Sequence, residues 1–411
     1  MPILLEEDLR RPLPRMYRVR QQFDETRLED VADTVRAEFA KPEIRALVKP
    51  GMRIAVGVGS RGIQNLYTIV ETTVNSLKEL GAEPFIVSAM GSHGGGTEEG
   101  QREVLAGYGI TEERLGVPVV TTVDTVYLGN CANGRPVWFD RAAYEADLIV
   151  PINRVKLHTD FVGPIQSGLC KMLVIGLGNH KGCSAVHEEA PEVFADAIEE
   201  TVRLILQKAP VGFGIAILEN AYDKTYAVEA VPAEHLVERE KELVQIAKGN
   251  MPYIMLDEAD VIVCGAIGKD ISGAGFDPNI LGRSSVLKQF VLHIPRYQRL
   301  VLCDVTPASH GNGIGVGLFD VITKKVAEQL DLESMYANAI ACNCLGDASV
   351  PCTVDDEETA IRVALKCCRN IDRDHPRIIR IQNTLHLGEI EVSEALLDAV
   401  RADSRMSLIE N

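Results

Sequence analysis

The sequence predicts an α/β fold, two α/β domains with mostly parallel sheets, and three observations carry that reading. Apolar strand-like runs alternate with stretches of helical spacing. The 411-residue length exceeds what one hydrophobic core usually spans. A turn-like stretch, Gly249-Asn250-Met251-Pro252, closes the first alternating series before a second begins. The expected domains are therefore 1–251 and 252–411, with a cofactor site between them and a last helix that could pack on either.

The elements follow in chain order. Leu28, Val31, Val35 and Phe39 recur at helical spacing within 24–47, ahead of the turn Lys49-Pro50-Gly51. A strand RIAVGVG, a helix over about 63–80, a strand EPFIVSAM and a helix beginning near Thr97 continue the alternation. Short β-rich stretches at 118–129 and 136–139 precede the strand DLIVPINRV, a helix over 188–207, the strand GFGIAIL and a helix over 232–248. The second domain is expected to hold strands ADVIVCGA, RLVLCDV and RIIRIQN, with helices from about Asp320, over 355–368 and over 391–401. Arginines 10, 11, 15, 18 and 20 are interleaved with Leu, Pro, Met and Tyr, which suggests an extended segment lying on the body.

Composition narrows the function. With 46% apolar and 25% charged residues the chain can build ordinary cores, and a net charge of −17 argues against a sequence-independent grip on nucleic acid or anionic lipid. No uncharged apolar run approaches the roughly 20 residues needed to span a bilayer, and the N-terminus lacks the apolar core of a signal peptide. The ten cysteines are scattered without a paired CxxC framework, as expected of free thiols in the cytoplasm. A small-molecule substrate is the expectation, with no nucleic-acid and no membrane partner.

In α/β sheets ligands gather beyond the carboxyl ends of the strands. Four strand-exit loops are rich in glycine and polar groups: 57–62 (GVGSRG), 90–97 (MGSHGGGT), 153–182 and 268–283. The first matches GxGxxG, but the next strand ends without the acidic residue that would hold a ribose, so the dinucleotide fingerprint is incomplete. Arg61 in this loop could hold a carboxylate bidentately or form a structural ion pair. His93 sits among glycines; His158 and His180 lie near the ends of the 153–182 loop, with Lys156, Lys171 and Lys181 close by. His187, followed by two glutamates, is either a turn residue at a helix start or a metal ligand. No cluster of His, Cys and Asp suggests a self-sufficient metal site, so a metal here would have to bring most of its ligands with it.

Together these residues resemble the nickel-dependent lactate racemase family. Ser167-Gly168-Leu169-Cys170-Lys171, followed by Gly176, fits that family's Ser-Gly-x-x-Lys-x4-Gly, and the spacing 187 − 171 = 16 matches its interval from cofactor-bearing lysine to nickel-ligating histidine. The resemblance implies a 2-hydroxy acid racemase or epimerase working by hydride transfer. It implies a nickel-pincer nucleotide, a pyridinium thioamide mononucleotide attached to Lys171, with His187 on the nickel. It also implies Arg61 on the substrate carboxylate, His93 and His158 as catalytic bases, and cofactor-synthesis enzymes as partners. Val58 stands where the family has an acidic residue, and a bulkier or more acidic substrate than lactate is expected from it. The other readings are an NAD-dependent 2-hydroxy acid dehydrogenase and a non-catalytic homologue that binds a nucleotide or organic acid.

Overall fold

The computed structural model describes residues 3–60 and 62–410. The chain divides into two compact units, one of Glu25–Met251 and one that joins Met1–Asp24 to Pro252–Asn411.

In the unit of 25–251 the sheet runs Val119–Val120, Glu83–Ser88, Arg53–Val58, Leu148–Arg154, Phe213–Glu219, Thr225–Pro232. Every neighbouring pair is parallel except the last, which is antiparallel. The central strands are apolar on both faces, as a sheet covered on both sides requires: Arg53–Val58 is buried at every position after Arg53. One face packs against the helix Leu66–Glu79, which contributes Ile69, Val70, Val74 and Leu77 to a core with Ile54, Val56, Val58 and Ile86. Val35 and Phe39 of the helix Val31–Ala40 extend that core, Phe39 meeting Phe213 edge-on at 5.5 Å. The helix expected over 24–47 is two helices, because Lys41 precedes a proline and takes an extended conformation before Pro42 opens Pro42–Leu47.

The other unit has a sheet ordered Cys352–Val354, Val321–Thr323, Arg299–Leu302, Val261–Cys264, Ile378–Ile381, Glu389–Ser393, Met16–Gln21, Met406–Leu408. The first five strands are mutually parallel and the last three antiparallel. The N-terminal segment does lie extended on a body, but not on that of the first domain as the expected boundaries had it. Met16–Gln21 fills the place between Glu389–Ser393 and Met406–Leu408, and Arg18 pairs with Glu389 at 2.8 Å. Two helix expectations in this unit also give way to strands. Val321–Thr323 and Glu389–Ser393 join the sheet first, and helices follow only at Lys324–Gln329 and Leu397–Ala402. β-branched Val and Ile at 321, 322, 390 and 392 suit the sheet better than a helix. Among the described residues no helix is long and apolar enough to cross a membrane.

Candidate active site

The candidate residues of the first unit gather at the carboxyl ends of its parallel strands. Glu83–Ser88 leads into the His93 loop and Leu148–Arg154 into the segment carrying His158 and Lys171. That segment is not a plain loop. Backbone groups of Lys156 and Ser167 pair at 2.8 and 3.1 Å and pinch it into a closed excursion. Inside, the fully enclosed side chain of Gln166 accepts the His158 amide at 2.8 Å and donates to the Gly163 carbonyl at 3.1 Å.

Lys171 ends a short helical turn, Leu169–Lys171, that passes directly into a π-helical turn, Met172–Gly176. Such bulges often mark functional positions in helices. The Lys171 Nζ contacts Nε2 of His158, whose Nδ1 accepts the Asp160 amide at 3.0 Å. His158 stacks on Phe161 with 4.3 Å between ring centroids, Phe161 packs on Phe194 at 4.7 Å, and His187 meets Phe194 edge-on at 5.2 Å. A continuous aromatic seam thus joins His158 to His187.

His187 stands at the end of the helix Asn179–His187, where the sequence suggested a helix start; the next helix opens only at Phe194. Its Nδ1 lies 2.7 Å from the Cys183 carbonyl, one turn back. A carbonyl can only accept, so Nδ1 carries a proton, and in the neutral ring the lone pair is on Nε2. The start of this helix is fixed by Asn179, whose Nδ2 donates to the buried Asp140 carboxylate at 2.9 Å. Burial pushes the Asp140 carboxyl up to about 6, against the opposing pull of its amide donors. The stretch after His187 is fixed by Arg135, an almost enclosed guanidinium that pairs with Glu189 and, at 2.9 Å, with Glu200.

The His93 loop is bound to the same place. Gly91 donates to the Gly176 carbonyl at 3.0 Å, and the Ser92 hydroxyl and Cys183 thiol approach to 3.9 Å. Gly176 must be glycine here, since a Cβ would lie 2.7 Å from the Ala89 carbonyl oxygen. His93 Nδ1 contacts the Ser60 hydroxyl, and the Ser60 carbonyl accepts from Tyr108 at 3.0 Å. Buried Gln101 donates to the Gly91 and His93 carbonyls and accepts from Ser88. Ser60, Gln101, Arg135, Asp140 and Asn179 were not singled out from sequence, and only Gln101, a polar residue at an inward helical position, left a trace there.

The structure thus brings together His158, Lys171 and His187 and ties the His93 loop to the same segment. Arg61 lies outside the described residues. The loop that carries it is tied down by Glu219, which accepts the Gln64 amide at 2.7 Å and pairs with Arg154. Val58 is fully enclosed in the hydrophobic core, so its side chain does not line a site and the substrate expectation built on it loses its basis. The helix after GVGSRG begins only at Leu66, beyond the glycines, so the tight strand-to-helix turn of a dinucleotide fingerprint is not formed. His180 and Lys181 are exposed, Lys181 lying over the Trp138 ring at 4.9 Å. Among the described residues no group of three His, Cys, Asp or Glu could hold a metal.

Residues 13–196 match the sequence model of the lactate racemase N-terminal domain. Over these residues the chain is similar to the lactate racemase N-terminal domain. The match contains His93, His158, Lys171 and His187 as well as Arg61. The fold agrees over a wider span: the lactate racemase apoprotein from Thermoanaerobacterium thermosaccharolyticum superposes with a TM-score of 0.53 over 89% of this chain and 93% of that one, at 13% identity. A structural-genomics protein from Thermotoga maritima gives a TM-score of 0.43 at 15% identity, covering 57% of this chain, and this chain spans 63% of its length. No curated protein matches by sequence. The racemase relationship therefore rests on the N-terminal sequence match and on the shared mixed α/β architecture.

Proposed function

We propose that this chain is a lactate racemase-like isomerase that interconverts the two stereoisomers of a 2-hydroxy acid, with a nickel-pincer nucleotide attached to Lys171. The contact of Lys171 Nζ with His158 Nε2, in a site that also holds His93 and His187, carries the reading. The residues fit such a group in two respects. Lys171 offers an amine at the end of a fixed turn, and His187 has its Nδ1 proton committed to a carbonyl, which would leave Nε2 of the neutral ring to ligate a metal. One protein ligand would suffice for nickel if the nucleotide brought the others.

When bound, the group supplies an acceptor for the hydrogen on the substrate's C2. The chain's own residues do the rest. Arg61 holds the substrate carboxylate as a bidentate partner. His93 and His158, on separate strand-exit segments, take and return the hydroxyl proton. Enantiomers held by one carboxylate anchor with C2 in one place present their hydroxyls to opposite sides, so a base is needed on each. Imidazoles titrating near neutrality serve in both directions. The Ser60 hydroxyl and the Asp160 amide orient the two rings. The free, buried thiols of Cys170, Cys183 and Cys264 support a cytoplasmic setting, and cofactor-synthesis enzymes are the partners the reading requires.

The test is chiral chromatography of a panel of 2-hydroxy acids incubated with protein made beside such enzymes. Formation of the opposite enantiomer without added NAD is expected. NAD-dependent accumulation of a 2-oxo acid instead would make the protein a dehydrogenase.

A further inference from the structure

The turn that carries Lys171 is held from below by a carboxyl group that the reaction does not use. Glu240 sits in the helix Leu236–Asn250 and is completely enclosed. Its Oε2 accepts the backbone amide of Cys170 at 2.9 Å, while no partner for Oε1 is present among the described residues. The carboxyl occupies the space above Gly168: a Cβ on that glycine would stand 2.6 Å from it. The glycine of Ser-Gly-x-x-Lys is thus needed because Glu240 fills its side-chain position. On the other side, Asn153 of the strand Leu148–Arg154 donates to the Gly168 carbonyl at 2.8 Å. Leu169 inserts toward Gly214, where a Cβ would come within 2.6 Å of the leucine. The Lys171 turn is therefore clamped between a sheet and a buried acid.

From this geometry we infer that Glu240 is a positioning residue for Lys171, its carboxyl holding the Gly168–Lys171 turn in the one register that brings Nζ to His158. The inference rests on the reading of Lys171 as the working amine. A buried acid is an expensive choice for mere packing, since a leucine would fill the same volume without a polar group to satisfy. What it offers is an acceptor for an amide at the start of the turn, in either ionisation state. Burial pushes the Glu240 carboxyl up to about 7, and it raises the adjacent Cys170 thiol well above its usual value, so near neutrality the carboxyl is about half ionised while the thiol keeps its proton.

Three variants separate an acceptor from a filler. Glu240→Gln keeps an oxygen for the Cys170 amide, and Glu240→Leu keeps volume alone. Glu240→Ala keeps neither. Pulsed amine labelling read by peptide mass spectrometry, with exposed Lys181 as internal standard, reports whether Lys171 is still held. The Lys171-to-Lys181 ratio is expected to match the parent in Glu240→Gln and to rise about fivefold in Glu240→Leu and Glu240→Ala, as expected for loss of one buried hydrogen bond. A ratio in Glu240→Leu equal to that of the parent overturns the proposal. Should Glu240→Leu not fold, the parent protein decides. With [15N]cysteine, the Cys170 amide is expected to resist exchange and to shift with pH through about 7, a shift absent in Glu240→Gln; an unprotected amide without that shift overturns it. Adduct formation is scored separately. If no chain acquires a cofactor on Lys171 while the labelling order holds, the racemase reading falls and the role of Glu240 stands.

Discussion

His158 is held between two donors or acceptors of different kinds: the Asp160 amide donates to its Nδ1 at 3.0 Å, and its Nε2 faces the Lys171 amine. The ring is thus fixed in plane by the backbone and pointed at the residue to which the nucleotide is proposed to attach. A histidine so placed has its Nε2 beside the amine proposed to carry the cofactor.

Replacing either His93 or His158 with alanine is expected to lower net racemisation by about 10²- to 10⁴-fold, the usual worth of a general acid or base. The two variants are expected to differ in single turnover. Acid quench after mixing with one pure enantiomer gives up to one equivalent of 2-oxo acid in one variant and little in the other, and the order reverses with the other enantiomer. Equal residual turnover with no enantiomer dependence would show both to be structural.

His187→Ala is expected to lower nickel occupancy by about tenfold or more, with Lys171 still modified. Metal analysis of dialysed protein checks the first part and intact mass the second. Full nickel occupancy would remove His187 from the metal.

Arg135→Ala leaves Glu189 and Glu200 without their shared partner and opens a cavity beside the helix Phe194–Lys208. A loss on the order of 1–2 kcal/mol in urea unfolding is expected, since the guanidinium is enclosed but both glutamates are partly exposed and keep access to water. A midpoint unchanged within error would mean that the glutamates turn to water without cost.

Two buried acids make stability depend on pH in an unusual sense. Asp140 is pushed up to about 6 and Glu240 to about 7, whereas each ionises at lower pH in the unfolded chain. Between the unfolded and folded values the native state binds more protons, so stability falls as pH rises; above the folded value the loss is complete and constant. The fall is expected from about pH 4 to 6 for Asp140 and from about 4.5 to 7 for Glu240. Asp140→Asn is expected to flatten the first window and Glu240→Gln the second, measured by urea unfolding across pH 4 to 8. Asparagine is accommodated because Asn179 has a buried Oδ1 without a partner, and turning its amide over restores the hydrogen bond.

The α/β alternation was legible because parallel strands buried on both faces read as continuous apolar runs, RIAVGVG and DLIVPINRV among them. A motif and an interval single out Lys171 and His187 as the residues proposed for cofactor and metal. Elements failed where two periods overlap: Val321–Thr323 is too short to show alternation next to a helix, and Glu389–Ser393 merges with the helical pattern behind it. The supporting residues were hidden for another reason. Asp140, Asn179 and Arg135 act through partners 39 to 65 positions away, which no local pattern encodes. Glu240 did leave a signal. It occupies a core position in the stripe Leu236, Val237, Glu240, Leu243, Val244, Ala247, but it is surrounded by the charges of Glu238, Lys241 and Glu242 and passes for one more solvated residue.

The central claim is that Lys171 bears the cofactor, and peptide mapping of protein made beside cofactor-synthesis enzymes tests it most directly. A mass adduct confined to the peptide ending the Ser167–Lys171 motif, absent in Lys171→Ala, is the expected result. An unmodified Lys171 in protein that racemises a 2-hydroxy acid, or an adduct on Lys181 instead, would contradict it.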